Sequence, residues 1–252
     1  MALPKINTPI FELTLSSSGQ PVQYRPFLVK EQKILLLALE SGEPKSIMTA
    51  VKQIIRNCIF GDNVDVDKLP TFDLEYFFMR LRGKSIGEVV DLQLRHPTGF
   101  NSKNEECDHA TQFKFNIMEV EVQKTISHTD KIIIDEATGL GIKLKYPTAN
   151  FTDIDTDNLS QLDIAVEMLI ECIDYIYDKD EVYKKEDSTK KEISEFIDSL
   201  SQDQFKNVMN FFETMPKLKH TINWKCTGCG CEDEVTLEGM GNFFALWWGM
   251  IV

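Results

Sequence analysis

Histidine, positive charge and long apolar runs are all in short supply in this chain. Only four histidines occur in 252 residues, so chemistry that leans on imidazole has few places to reside. No stretch reaches the roughly 18 apolar residues needed to cross a bilayer, and no membrane span is expected. The opening Met1-Ala2-Leu3-Pro4-Lys5 lacks the charged-then-apolar layout of a secretory leader. Missing too are the G-x-S-x-G nucleophile elbow, H-E-x-x-H, the phosphate loop G-x-x-x-x-G-K-S/T, and a G-x-G-x-x-G that opens a helix. Gly139-Leu140-Gly141 reads as a hairpin turn. Asp153-Ile154-Asp155-Thr156-Asp157 has the acids of a calcium loop. However, Asn158 replaces the required glycine and Ile164 stands where the bidentate glutamate belongs. It reads as an acid cluster before a helix. No catalytic residues are assigned, and a non-enzymatic protein is expected.

The charge deficit points the same way about partners. Lysine and arginine total 27 against 40 acids, a net charge of −13. Contact with nucleic-acid phosphates needs a basic face, so direct nucleic-acid binding is not expected. The pairs Lys184-Lys185 and Lys190-Lys191 are each followed at once by an acid and read as solvated surface.

Cysteine is the informative residue. Three of the six fall in Trp224-Lys225-Cys226-Thr227-Gly228-Cys229-Gly230-Cys231, between the extended runs Thr221–Trp224 and Glu234–Leu237. A Cys-x2-Cys turn with glycines at a hairpin tip is half of a structural zinc site. The glycines let the backbone fold back, so that amide N–H groups point at the thiolates. The bland alternative is a glycine-rich hairpin whose cysteines are only small residues. A tetrahedral ion needs four ligands, and Cys107-Asp108-His109, with His96 before it, is the obvious second donor. That segment lies between the strand-like Val89–Leu94 and the alternating Gln112–Ile117. The favoured set is Cys107, His109, Cys226 and Cys229, with His96 and Cys231 as substitutes, around a structural zinc. Cys58 and Cys172 sit on helix-like apolar faces and read as core residues. A reducing compartment without disulfides is expected.

The pattern along the chain is α+β: a helical core with several β-hairpins, two of which are expected to form a split zinc-ribbon-like unit. Residues 1–28 are an N-terminal β arm, with Phe11–Leu15 and Val22–Pro26 either side of a serine-rich turn. Residues 29–86 are helical. Their strongest element opens at Thr71, carries acids in its first turn and arginines in its last, and is apolar almost all round; Gly83 is expected to end it. Residues 87–126 hold the first ligand-bearing hairpin and 127–155 a further hairpin. Residues 156–219 are expected to be helical, with the stripe Leu162, Val166, Leu169, Ile173 and Ile176, a charged loop from Tyr177 to Lys191, and a capping box at Ser201–Gln204. Residues 220–252 combine the cysteine-rich hairpin with an aromatic tail. In that tail Phe243, Phe244, Trp247 and Trp248 either pack into the chain's own core or anchor it in a partner, since aromatic anchors dominate interfaces.

The order of a helix Leu69–Arg82 running into Gly83-Lys84-Ser85, a strand, a Cys/His loop and a late Cys-x2-Cys turn before an apolar end, with the Leu3–Pro9 arm, resembles the T4-like phage baseplate family of hub subunits and hub assembly proteins. The likeness spans most of the chain. It departs in the first metal loop, where Cys107 and His109 have a single residue between them. The resemblance implies a protein that helps build the baseplate hub of a contractile-tailed phage. Its partners would be other hub or tail proteins in a multi-subunit assembly. Its locations would be the virion baseplate and, during assembly, the host cytoplasm. A soluble zinc-ribbon adaptor of transcription or translation is the alternative, disfavoured by the net charge, and a metalloenzyme is the third class.

Overall fold

The structure, a computed structural model, describes residues 7–61, 63–149 and 160–239. The acid cluster at Asp153–Asp157 and the aromatic tail with Phe243, Phe244, Trp247 and Trp248 lie outside them. The elements in chain order are β1 (Phe11–Thr14), β2 (Pro21–Tyr24), α1 (Val29–Ser41), α2 (Pro44–Cys58), α3 (Thr71–Ile86), β3 (Val89–Leu94), β4 (Thr111–Asn116) and β5 (Glu121–Gln123). They continue with β6 (Lys131–Asp135), β7 (Leu140–Leu144), α4 (Gln161–Cys172), β8 (Ile173–Tyr177), β9 (Val182–Lys184), α5 (Lys190–Asp198), α6 (Gln202–Thr214), β10 (Lys217–Lys225) and β11 (Glu232–Glu238). The fold is α+β, with helices and several small antiparallel sheets. Among the described residues it divides into two compact units. The first holds residues up to Val66, then Phe72–Gln123, then Lys217 onward; the second holds Asp67–Thr71 and Lys124–Pro216.

In the first unit α3 is the central element. Phe72, Leu74, Phe77, Phe78 and Leu81 are all buried, so packing surrounds the helix, as its apolar circumference requires. Its buried polar side chains reach out to neighbouring elements. Asp73 accepts the Ser16 and Ser17 N–H groups at 2.8 and 3.2 Å, which fixes the β1–β2 turn. Arg80 donates to the Met118 and Val120 carbonyls at 2.7 and 3.1 Å and pairs with Glu121. Gly83 does not end the helix, which runs on to Ile86. A Cβ there would lie 2.8 Å from the Met118 sulfur, so the glycine serves a close approach by the turn at Ile117–Glu119. Helix α1 is anchored by Glu31, which receives Arg25 at 3.0 Å and the Leu28 N–H at 2.9 Å. Of its apolar residues only Leu35 is fully buried, while Val29 and Leu37 are 67% and 68% exposed.

Two hairpins complete this unit. Strands β3 and β4 pair antiparallel from Val89↔Asn116 to Leu94↔Thr111. Strands β10 and β11 pair from Lys219↔Glu238 to Lys225↔Glu232, and β5 adds to the other edge of β10 at Leu218↔Val122. Period-two alternation sends Val90, Leu92 and Leu94 inward to meet Ile222, Trp224 and Leu237 in one core.

The second unit is a four-stranded antiparallel sheet, β6-β7-β8-β9, with α4, α5 and α6. Its core joins Ile132, Ile142, Leu144, Leu169, Ile170, Ile173, Val208 and Phe211. Here the sequence pattern misleads. Ile173 and Ile176 continue the helical stripe, yet they lie in β8, paired with Leu144 and Ile142. The run Ile173-Asp174-Tyr175-Ile176-Tyr177 is β-branched and aromatic, and fits a pleated, half-buried surface. The charged segment after it forms the short strand β9 rather than a loop throughout. Helix starts behave as their residues dictate: the Ser160, Thr189 and Ser201 hydroxyls accept the N–H of Asp163, Glu192 and Gln204 at 3.2, 3.2 and 3.3 Å.

Candidate metal centre

The tips of the two hairpins in the first unit bring four donor side chains together. His96 lies two residues beyond β3, Cys107 in the loop back to β4, Cys226 at the end of β10, and Cys229 in the following turn. One ligand atom from each lies within 4.8 Å of all the others. Cys107 Sγ is 3.8 Å from Cys226 Sγ, and Cys229 Sγ is 3.4 Å from His96 Nε2. A tetrahedral ion with metal–sulfur bonds of about 2.3 Å and metal–nitrogen bonds of about 2.0–2.1 Å sets such edges at about 3.8 and 3.6 Å. The contact is far too long for a disulfide, and all six cysteines are free. Donor type, number and spacing all fit a four-coordinate metal ion.

Local backbone geometry explains why these positions converge. In the β10–β11 turn the Cys226 N–H donates to the Cys231 carbonyl at 2.8 Å and the Gly230 N–H to the Cys226 carbonyl at 2.9 Å. Gly230 sits at φ +74°, where a side chain would be strained. Gly228 is needed for room: a Cβ there would fall 2.6 Å from His109 Cβ and Cγ. The turn therefore closes with its amides facing the sulfurs. In the long β3–β4 loop, Asn101 Oδ1 accepts the Lys103 and Glu105 N–H groups at 2.9 and 3.0 Å. The Cys107 N–H donates to the Gly99 carbonyl at 2.8 Å, which carries Cys107 back towards His96.

Electrostatics follow from these contacts. Burial opposes ionisation of Cys226, but N–H groups of Cys229 and Gly228, with His96 beside it, bring its thiol down to about 6. The Cys231 N–H, against the cost of burial and with help from His96, also lowers Cys229. For Cys107 the His109 N–H favours the thiolate, yet burial and the two neighbouring sulfurs push it up overall. His96 is raised to about 9, chiefly by the hydrogen bond with Asp233 and against the cost of burial. Two thiols whose ionisation is favoured thus lie beside an imidazole whose far edge is held by a carboxylate.

Of the six residues the sequence singled out, the structure gathers His96, Cys107, Cys226 and Cys229. It leaves His109 and Cys231 out of the cluster. His109 has an exposed side chain whose Nε2 lies 2.9 Å from the Thr227 hydroxyl, across the face of Gly228. With one residue between Cys107 and His109, it is the His109 main-chain N–H that meets the sulfur. Cys231 opens onto β11, is buried, and gives its carbonyl to the Cys226 N–H and its own N–H to Cys229. His96 is only 3% exposed and stacks 5.2 Å from Trp224. Asp233 is the residue that sequence patterning overlooked. Its alternation with Val235 and Leu237 places it on the inward face of β11, and an acid at such a position is the signal that was available.

A family model described as T4 bacteriophage base plate protein matches residues 8–245 of the chain. No curated protein and no solved structure matches it.

Proposed function

Since the chain belongs to the T4 bacteriophage base plate protein family, we propose that it serves in the baseplate hub of a contractile-tailed phage, as a subunit or assembly protein acting through protein–protein contacts. The observation that carries this is the family match across residues 8–245. Two features of the molecule support a contact role rather than a catalytic one. Helix α1 leaves Leu37 and Val29 about two-thirds exposed, with Leu28 at 42%, and these apolar side chains are open to contact with a neighbour. The donor cluster offers four protein ligand atoms close together, the number that a closed structural site needs. The ion best suited to three thiolates and one imidazole is zinc, held by Cys107, Cys226, Cys229 and His96, with His109 and Cys231 shaping the turns by their main chains. Bound there, it would tie the two hairpin tips together. The aromatic residues Phe243, Phe244, Trp247 and Trp248 are proposed as a further anchor for hub or tail neighbours.

The test is quantitative mass spectrometry of purified virions, together with pull-down of the tagged chain from infected cells. A few copies per particle make it a hub subunit. Absence from virions with co-purification of hub proteins from cells makes it an assembly factor. Absence from virions without any tail protein in the pull-down overturns the proposal.

A further inference from the structure

We propose that Asp233 is a positioning residue of the metal centre: it holds His96 in the tautomer and orientation that leave Nε2 for the ion. The proposal rests on the metal reading above. Its basis is a pair of contacts on opposite edges of one ring. His96 Nδ1 lies 2.7 Å from Asp233 Oδ2, while Nε2 lies 3.4 Å from Cys229 Sγ and belongs to the four-donor cluster. A carboxylate can only accept, so Nδ1 keeps its proton, and Nε2 is the nitrogen left to give its lone pair to an ion.

The carboxylate is itself fixed. Asp233 Oδ1 accepts the Glu234 N–H at 2.8 Å, and the strand pairing sets Asp233 opposite Trp224, whose ring packs 5.2 Å from His96. The imidazole is therefore gripped at its back edge by β11 and on its face by β10. Its metal-binding edge is turned to the thiolates. His96 and Cys107 come from the first hairpin, whereas Cys226, Cys229 and Asp233 come from the second. A metal-bound histidine that donates its other N–H to a carboxylate has a fixed orientation and a more basic donor atom, and loss of such a partner costs about 10–100-fold in metal affinity. The surface pair Arg95–Asp108 in the same loop, 39% and 80% exposed, faces solvent and makes a suitable control.

The experiment titrates full-length protein with Co2+ and with Zn2+ in competition with a chelator, for wild type, Asp233→Asn, Asp233→Ala and Asp108→Asn. The asparagine variant retains an oxygen for the Glu234 N–H and keeps the strand's shape, so it covers the case in which alanine does not fold. Long-range 1H–15N NMR of the zinc-loaded wild type reads which nitrogen of His96 binds the ion. The expected result is one metal per chain on Nε2, an affinity about 10-fold or more weaker in Asp233→Asn, a larger loss in Asp233→Ala, a changed Co2+ spectrum in both, and no change in Asp108→Asn. Wild-type binding through Nδ1, or Asp233 variants within twofold of wild type, overturns the proposal and leaves the metal reading intact. A wild type that binds neither ion overturns both.

Discussion

Cys172 and Cys226 occupy similar places, each at the end of a regular element and each buried, one in either unit. Their chemistry is opposite. Burial pushes the Cys172 thiol up to about 12, with the Lys185 charge too weak to offset it. Burial opposes ionisation of Cys226 too, yet backbone N–H groups turned on its sulfur bring it down to about 6. Burial alone thus makes a cysteine inert; N–H groups aimed at the sulfur favour the thiolate that a metal would need. The units differ in the same sense. The second closes its sheet with three helices over an aliphatic and aromatic core. The hairpin pair of the first, no more than three strands in any one sheet, ends in a polar knot of four donors instead. Small hairpins are marginal alone, and under the proposed metal reading an ion would tie their tips together.

The largest expected effect separates the units. Replacing Cys226 and Cys229 together by serine should abolish metal binding and weaken the first unit by several kcal/mol, as loss of a structural ion does. Amide hydrogen exchange should show the β10–β11 hairpin opening while α4 and α6 keep their protection; an unchanged melting curve would remove the ion from the account of stability. The reciprocal variant is Phe211→Ala. It deletes a ring that packs against His128, Tyr146 and Phe212, at a cost of about 3–5 kcal/mol, with one metal per chain retained. Loss of metal in that variant would mean that the two units do not respond separately.

The smallest effect is a pH dependence confined to the second unit. His128 stacks on Tyr146 and Phe211, gives or takes one hydrogen bond with the Thr214 hydroxyl at 3.0 Å, and leaves Nε2 buried with no partner among the described residues. Burial lowers its pKa, with the Asp130 charge opposing. A histidine kept neutral in the fold stabilises fully above its unfolded pKa of about 6.5. Below that the unfolded chain takes up the proton first, and the contribution is lost as pH falls through the lower folded value. Unit 2 should therefore melt earlier on going from pH 7.5 to 5.5, and His128→Phe should flatten that slope. Equal slopes would show that another group sets it. The lowered carboxyls Asp135, Asp163, Asp178 and Glu192 act in a lower window and do not confuse the reading.

Much of the fold was legible because local rules and tertiary demands agreed. The circumferentially apolar α3, the capping serine at Ser201 and the two cysteine-bearing hairpins all follow from periodicity and turn chemistry. Where they disagreed, the contact made later decided. Gly83 looks like a stop signal but is a gap that Met118 needs. Ile173 and Ile176 keep helical spacing but answer to β7, which no local window contains. The donor cluster was legible in its cysteines, whose spacing is local. His96, named only as a substitute, joins the cluster beside Asp233, a contact 137 residues away that no local window contains.

That separation has a consequence for how the chain becomes a protein. His96 and Cys229 are 133 residues apart, and Cys107 and Cys226 are 119 apart, with the whole of the Lys124–Pro216 segment of the other unit between them. A ribosome adding about 5–20 residues per second needs roughly ten seconds to travel from one half of the cluster to the other. During that interval the first hairpin waits with an exposed thiol and an imidazole, while the intervening unit has time to fold by itself. Closing so long a loop is slow, so an ion held by all four donors would be captured last. Its arrival would mark a chain that has been made through Cys229 and whose two donor-bearing hairpins have met.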